Sequence, residues 1–304
     1  MIALDFENIE ELKKLHSDAV IDYVTTKLSS GNIAILYRNI TALPHIGHYP
    51  NEWDRKDTSW LNRFILADLD TLKDWAKNHA DKLRFDTFKK LYETKFSKGK
   101  TTYVDSANTY NSYTLFNRMG IKVCPYCEDE HLEEVVINGK SRRTMEFDHF
   151  YPKGEKEYPG LAMCFYNLIP SGIECNRLKM ANPIGANPYS PYIETLTRLY
   201  PDLPVGINFE SITETECKLC FHAQGDMILN EKNLALEQRY EQYKAEVYQL
   251  LGKKQRYPKE KIEEMVRAGF GTYATIIVDL FGKPRSEAKG KELHTKMKED
   301  LIGY

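Results

Sequence analysis

Apolar positions recur at helical spacing through the first part of the chain. Asn8-Ile9-Glu10-Glu11 reads as an N-cap followed by an acidic first turn, and Leu12, Leu15, Ala19, Val20, Tyr23 and Val24 then fall on one face. This predicts a helix ending near Ser29-Ser30-Gly31. Residues 33–37 read as a short strand or loop, followed by a polar, aromatic loop through His45, His48, Pro50 and Trp53. Asp57-Thr58-Ser59 can cap a second helix carrying Trp60, Phe64, Ile65 and Leu69. Helical patterns continue over about 70–97. Lys98-Gly99-Lys100 breaks them, and 104–119 reads as one more helix, stopped by Gly120 at the C′ position.

The pattern changes at Gly120. Cys124-Pro125-Tyr126-Cys127 forms a knuckle-like turn. Residues 135–137 read as a strand, Asn138-Gly139 as a tight hairpin turn, and 144–147 as the return strand, with Asp148-His149 at its end. A looped stretch with Pro152, Gly154, Pro159 and Gly160 leads to a short helix over 173–181. From 188 the chain is rich in proline. Residues 206–229 read as short strands around Gly225-Asp226, and 231–252, 257–268 and 286–300 as helices. The whole reads as an α+β protein in three parts: a helical region 1–119, a central unit 120–187, and a mixed, helix-rich region 188–304.

Composition narrows the class. Hydrophobic residues make up 42% and aromatic residues 12% of the 304, which excludes disorder as the main state. There is no apolar run of the roughly 20 residues a membrane helix needs, and no membrane role is expected. The first residues lack a basic n-region and apolar h-region, so a cytoplasmic protein is expected. In that compartment the six cysteines are expected as metal ligands or buried thiols. The 42 basic and 44 acidic side chains leave a net charge of −2. Bulk charge therefore does not drive nucleic-acid binding, and any such contact is local or shared with a partner. An acidic excess over 181–250 is followed by a basic excess over 251–304 that could dock DNA or an acidic partner.

The chemistry concentrates in residues 121–180. Asp148 and His149 are adjacent at a strand end, Asn167 lies in the loop, and Asn176 and Lys179 share a helix face. These residue types suit phosphodiester hydrolysis. A hard divalent cation takes oxygen ligands, which Asp148 and Asn176 offer. A neutral imidazole can accept the proton of an attacking water, which suits His149. Asn167 would hold that ring in orientation, and Lys179 would balance charge on the phosphoryl oxygens. Lys140, Arg142 and Arg143 on the hairpin, with Lys153 and Arg177, are candidate contacts to flanking phosphates.

The set CPYC, FDHFYPK, YNLIPS and CNRLK resembles the HNH, or ββα-metal, endonucleases, and is similar to the HNH subunit of Septu-type anti-phage systems. The resemblance covers some sixty to seventy residues. It implies a central ββα-metal unit, with Asp148 and Asn176 as ligands of a catalytic Mg²⁺ or Mn²⁺, His149 as general base and Asn167 as orienting residue. It implies DNA, more than RNA, as substrate, a role in bacterial defence, and an ABC/SMC-like ATPase partner. Many members carry two Cys-x-x-Cys pairs holding a structural Zn²⁺. Here Cys124, Cys127 and Cys175 are present, but Gly172 stands where the fourth cysteine is expected. Cys164, His131, Cys217 or Cys220 could complete the tetrahedron, or the zinc could be absent. Two other readings stay open: an RNA-cleaving toxin using the same site, and a non-catalytic zinc-knuckle adaptor.

Overall fold

The computed structural model describes residues 4, 6–50, 52–54, 56–99, 103–104, 109–154, 156–180, 182, 190–192, 198–202, 213, 216–222 and 227–303. The boundary expected at 187–188, the strand positions 206–212 and Gly225-Asp226 lie outside them. The N-terminal part contains α1 (Ile9–Lys27), α2 (Ser30–Thr41), α3 (Ser59–Ile65), α4 (Leu69–Asn78) and α5 (Thr87–Leu91). A π-helical turn, Tyr92–Phe96, follows α5 directly, then β1 (Tyr103–Val104), β2 (Thr109–Tyr110) and α6 (Ser112–Met119). The centre holds β3 (Glu134–Ile137), β4 (Lys140–Arg143), β5 (Met145–His149), β6 (Leu168–Gly172) and α7 (Ile173–Lys179). The C-terminal part has β7 (Arg198–Asp202) and β8 (Lys218–His222), then α8 (Met227–Asn233), α9 (Leu236–Tyr240) and α10 (Lys244–Arg256). It closes with α11 (Lys259–Arg267), α12 (Tyr273–Phe281), α13 (Arg285–Ala288) and α14 (Thr295–Ile302). Each described sheet is an antiparallel pair: β1–β2, β3–β4, β5–β6 and β7–β8. The architecture is α+β, as expected.

Four expectations are corrected. Residues 33–37 are helical. Ser29 accepts a hydrogen bond from the Asn32 amide as N-cap, and Ile33, Leu36, Tyr37 and Ile40 bury one face of α2. The helix expected over 104–119 begins only at Ser112. The Asn111 side chain caps it by accepting from Tyr113 and Thr114, and Gly120 ends it at φ +67°. The return strand from Asn138-Gly139 is β4, and residues 145–149 form a separate strand paired with β6. Asn138 and Gly139 both have positive φ, as a two-residue I′ turn requires, so the turn closes on residue 140. In the C-terminal region, 227–233 is helical, α12 was not anticipated, and the helix expected over 286–300 is interrupted between α13 and α14.

One hydrophobic core joins the N-terminal helices to the central unit. Leu12, Trp60, Phe64, Trp75 and Phe96 pack in the same cluster as Tyr126, Phe147 and Phe165. Leu199, Leu219, Val247, Leu251, Ile276 and Leu301 build a second core in the C-terminal part. Within the first core α1 buries His16 completely. Its Nε2 donates to the Met163 carbonyl at 2.8 Å, and its Nδ1 lies 2.5 Å from the Tyr110 hydroxyl. Burial lowers its pKa to about 4, against a weaker opposing effect of the Met163 carbonyl.

Below pH 6.5 the unfolded imidazole binds a proton that the folded one refuses until about pH 4. Stability from this group is therefore full above 6.5 and falls as pH drops through that window, by up to about 3 kcal/mol. Urea denaturation at pH 7.5 and 4.5 checks it: His16→Gln should lose less stability between the two than the wild type.

Candidate active site and metal knuckle

The site grows from the β5–β6 ladder and the helix that β6 runs into. The register pairs Asp148 with Ile169 and His149 with Leu168, so the Asp-His dipeptide lies at the end where the loop 150–167 leaves. Strand alternation sends the two side chains to opposite sides. Asp148 turns toward α7 and the knuckle, where Lys179 Nζ lies 3.0 Å from its Oδ2 and the Tyr126 hydroxyl donates to Oδ2 at 2.6 Å. His149 turns toward the N-terminal helices, and its ring meets Tyr92 edge-on at 4.3 Å between centroids.

Loop 150–167 sets the state of that imidazole. The Ala162 carbonyl lies 3.0 Å from His149 Nε2, and because a carbonyl only accepts, Nε2 carries the proton and Nδ1 the lone pair. Burial, then the nearby Lys153 charge, holds the His149 pKa well below its usual value, so the ring is neutral at pH 7. The role expected of Asn167 changes here. It is fully buried, and its amide contacts Tyr151 N and O and donates to Leu161 O rather than reaching the ring. It pins both ends of the loop, and the loop delivers the Ala162 carbonyl.

Asn176 sits on α7 with its Nδ2 donating to Glu146 Oε2 at 2.5 Å, which orients the amide oxygen as the atom available to a cation. Glu146 shares a strand face with Asp148. Lys179 is deeply buried and also donates to the His149 carbonyl at 2.9 Å, so its ammonium holds the strand end together rather than standing toward solvent. The candidate phosphate contacts divide. Lys153 stands over the Tyr92 ring at 5.1 Å, close to the site, and Arg142 is exposed on β4. Arg143 is corrected as a phosphate contact: its guanidinium is engaged by the Ser97 carbonyl, the Ser112 hydroxyl and the Tyr113 ring. Arg177 pairs on the surface with Glu174 at 3.1 Å. The side chain of Lys140 lies outside the described residues.

The buried Lys179–Asp148 pair carries a stability prediction. Removing one partner leaves the other charge buried and alone, at a cost of about 3–5 kcal/mol. Lys179→Met is expected to lose that much in chemical denaturation, and the double variant with Asp148→Asn to recover most of it.

A second polar centre lies on the other side of Tyr126. The Cys124, Cys127 and Cys175 sulfurs and a Glu130 carboxylate oxygen all lie within 4.8 Å of one another, a group that could hold a metal ion. The fourth donor is therefore Glu130, not one of the expected residues. Cys164 is a core thiol against the Phe64 carbonyl, His131 is exposed, and Cys217 belongs to the second core. Gly172 explains the exchange: a Cβ there would collide with the Glu130 carboxylate. That carboxylate also accepts from the Glu174 and Cys175 amides at 3.2 Å, so it ties the knuckle to the start of α7.

The donor set fits zinc: three sulfurs and one oxygen, at four-coordinate spacing. Burial alone would raise the Cys124 thiol, but hydrogen bonds from Cys127, Cys175 and the Gly172 backbone hold it well below its usual value. Burial pushes Cys127 up to about 12, and the hydrogen bonds that Cys175 donates to Cys124 and Cys127 raise its thiol above the usual range. One thiolate is thus shared by two thiols, and a bound cation would release their protons. Arg239 of α9 closes over the cluster, donating to Cys175 Sγ at 3.0 Å and Glu130 Oε1 at 2.9 Å. Beside it the Tyr240 hydroxyl donates to the Cys127 carbonyl.

Tyr92, Tyr126, Glu130 and Arg239 were not anticipated as site residues. Only Tyr126 had a local signal, its place inside the CPYC turn. No family model, curated protein or solved structure matches this chain. No described helix is long and apolar enough to cross a membrane.

Proposed function

We propose that the chain is a metal-dependent endonuclease of the HNH, ββα-metal type that hydrolyses phosphodiester bonds of DNA. The observation that carries this reading is the strand end itself. There Asp148 and an imidazole of defined tautomer follow one another on β5, facing its two sides, and α7 brings Asn176 to the same strand through Glu146. The segments FDHFYPK, YNLIPS and CNRLK follow one another as strand end, loop and helix, as the resemblance implies, with β6 as an added strand between loop and helix.

In this reading the Ala162 carbonyl holds His149 so that Nδ1 receives the proton of the attacking water. Asn167 keeps the loop in place. Asp148 and the Asn176 amide oxygen would hold Mg²⁺ or Mn²⁺, which neutralises charge on the scissile phosphate and the leaving oxygen. Lys153, standing over Tyr92, supplies positive potential at the mouth of the site. Cys124, Cys127, Glu130 and Cys175 would hold a structural zinc that fastens the knuckle to α7.

The resemblance extends the proposal to an effector of bacterial defence in the cytoplasm, working with an ABC/SMC-like ATPase. A net charge of −2 gives little bulk attraction to DNA, which fits control by such a partner. One observation favours the adaptor reading instead: both Asp148 oxygens are already engaged, by Lys179 and Tyr126. The deciding experiment is nicking of supercoiled plasmid with Mg²⁺ or Mn²⁺, against EDTA and His149→Ala. Metal-dependent nicking lost in the variant supports the nuclease. Wild-type activity that survives His149→Ala sinks it.

A further inference from the structure

The two donors that hold Asp148 come from the two chain segments that the knuckle joins. Tyr126 lies between Cys124 and Cys127 in sequence, is fully buried, and reaches Asp148 Oδ2 at 2.6 Å. Lys179 follows Cys175 by four residues, one turn along the same face of α7, and lies 3.2 Å from Oδ1 and 3.0 Å from Oδ2. A cation held by Cys124, Cys127, Glu130 and Cys175 fastens the 124–130 turn to the start of α7, and so fixes the spacing between the two donors. Without it, that spacing depends on packing, on the hydrogen bonds of Glu130 to α7, and on Arg239, which bridges Glu130 and Cys175.

We propose that Tyr126 is a positioning residue that couples the knuckle to the catalytic carboxylate, so that zinc in the knuckle sets the affinity of Asp148 for the catalytic cation. The inference rests on Asp148 being a ligand of that cation. Hydrogen bonds to a ligating carboxylate set its orientation, and their removal weakens metal binding about 10- to 100-fold. Coupling between two binding sites is reciprocal, so a cation at Asp148 tightens the knuckle's hold on zinc by the same factor.

The test uses the full-length, zinc-loaded protein and Mn²⁺ as probe. Mn²⁺ affinity is read from the electron paramagnetic resonance signal of the free ion, for wild type, Tyr126→Phe and Asp148→Asn. Zinc content and circular dichroism are measured alongside. Tyr126→Phe is expected to keep its zinc and its fold and to bind Mn²⁺ about 10- to 100-fold more weakly. Unchanged or tighter Mn²⁺ binding by a folded Tyr126→Phe overturns the inference alone. A wild type whose titration matches Asp148→Asn overturns the nuclease reading and the inference with it. A second measurement needs no change at Tyr126: zinc transfer from wild type to a zinc-selective chelator, with and without Mn²⁺. Mn²⁺ should retain zinc in the wild type and not in Asp148→Asn, and equal transfer in both overturns the coupling.

Discussion

Replacing His149 by alanine is expected to cut metal-dependent nicking of plasmid DNA by about 10²–10⁴-fold, the range that a positioned general base contributes. Among the described residues the ring is the imidazole that ends β5, and its protonation state is already that of a base. The Ala162 carbonyl accepts a hydrogen bond from Nε2–H, leaving Nδ1 with the lone pair, and burial with the neighbouring Lys153 charge keeps the ring neutral at pH 7. The variant should remain folded, because the ring contributes an edge contact with Tyr92 and one hydrogen bond to a core of many larger side chains. Circular dichroism and a thermal melt separate lost chemistry from lost structure. His149→Asn, which can still meet the Ala162 carbonyl but does not accept a proton, is expected to be equally inactive.

The knuckle offers the second large effect. One zinc per chain is expected by elemental analysis, and Cys124→Ser should lose it together with much of the thermal stability. Structural zinc sites in small peptides bind with about 10–16 kcal/mol. Here part of the scaffold is already packed, so a smaller share of that figure should appear in the melt. The sharper test is a pair of substitutions. Gly172→Cys alone should destabilise, since its Cβ would meet the Glu130 carboxylate. Glu130→Ala alone should weaken zinc, because it removes one of four donors. Together they should restore zinc to near wild-type content, with a thiolate where the carboxylate was. Additive losses in the double variant, by zinc content and melting temperature, would contradict the exchange of Gly172 and Glu130.

Much of the site was legible in sequence because it is local in sequence. Asp148 and His149 are neighbours, Asn176 and Lys179 share one helix turn, and Asn138-Gly139 marks its turn through backbone preference alone. The pairing of strands was less legible. Residues 134–149 alternate and turn plausibly in more than one register, and only the arrival of 168–172 against 145–149 separates β5 from the hairpin before it. The helical state of 33–37 was ambiguous for a related reason. A short apolar run fits either period until the buried face of α2 is seen.

The roles of individual groups divide along the same line. By itself, the sequence determined which residue types gather in 121–180, the α+β class, and the three cysteines of the knuckle, because spacing and backbone preference are properties of the chain. The tertiary structure decided that Glu130 fills the place left by Gly172, that Arg239 covers the thiol cluster, and that Asn167 holds the loop while Ala162 holds the imidazole. It also decided that Lys179 and Tyr126 meet on Asp148. Each of these depends on groups distant in sequence being brought within hydrogen-bond reach inside a core that excludes water, and no local pattern encodes that distance.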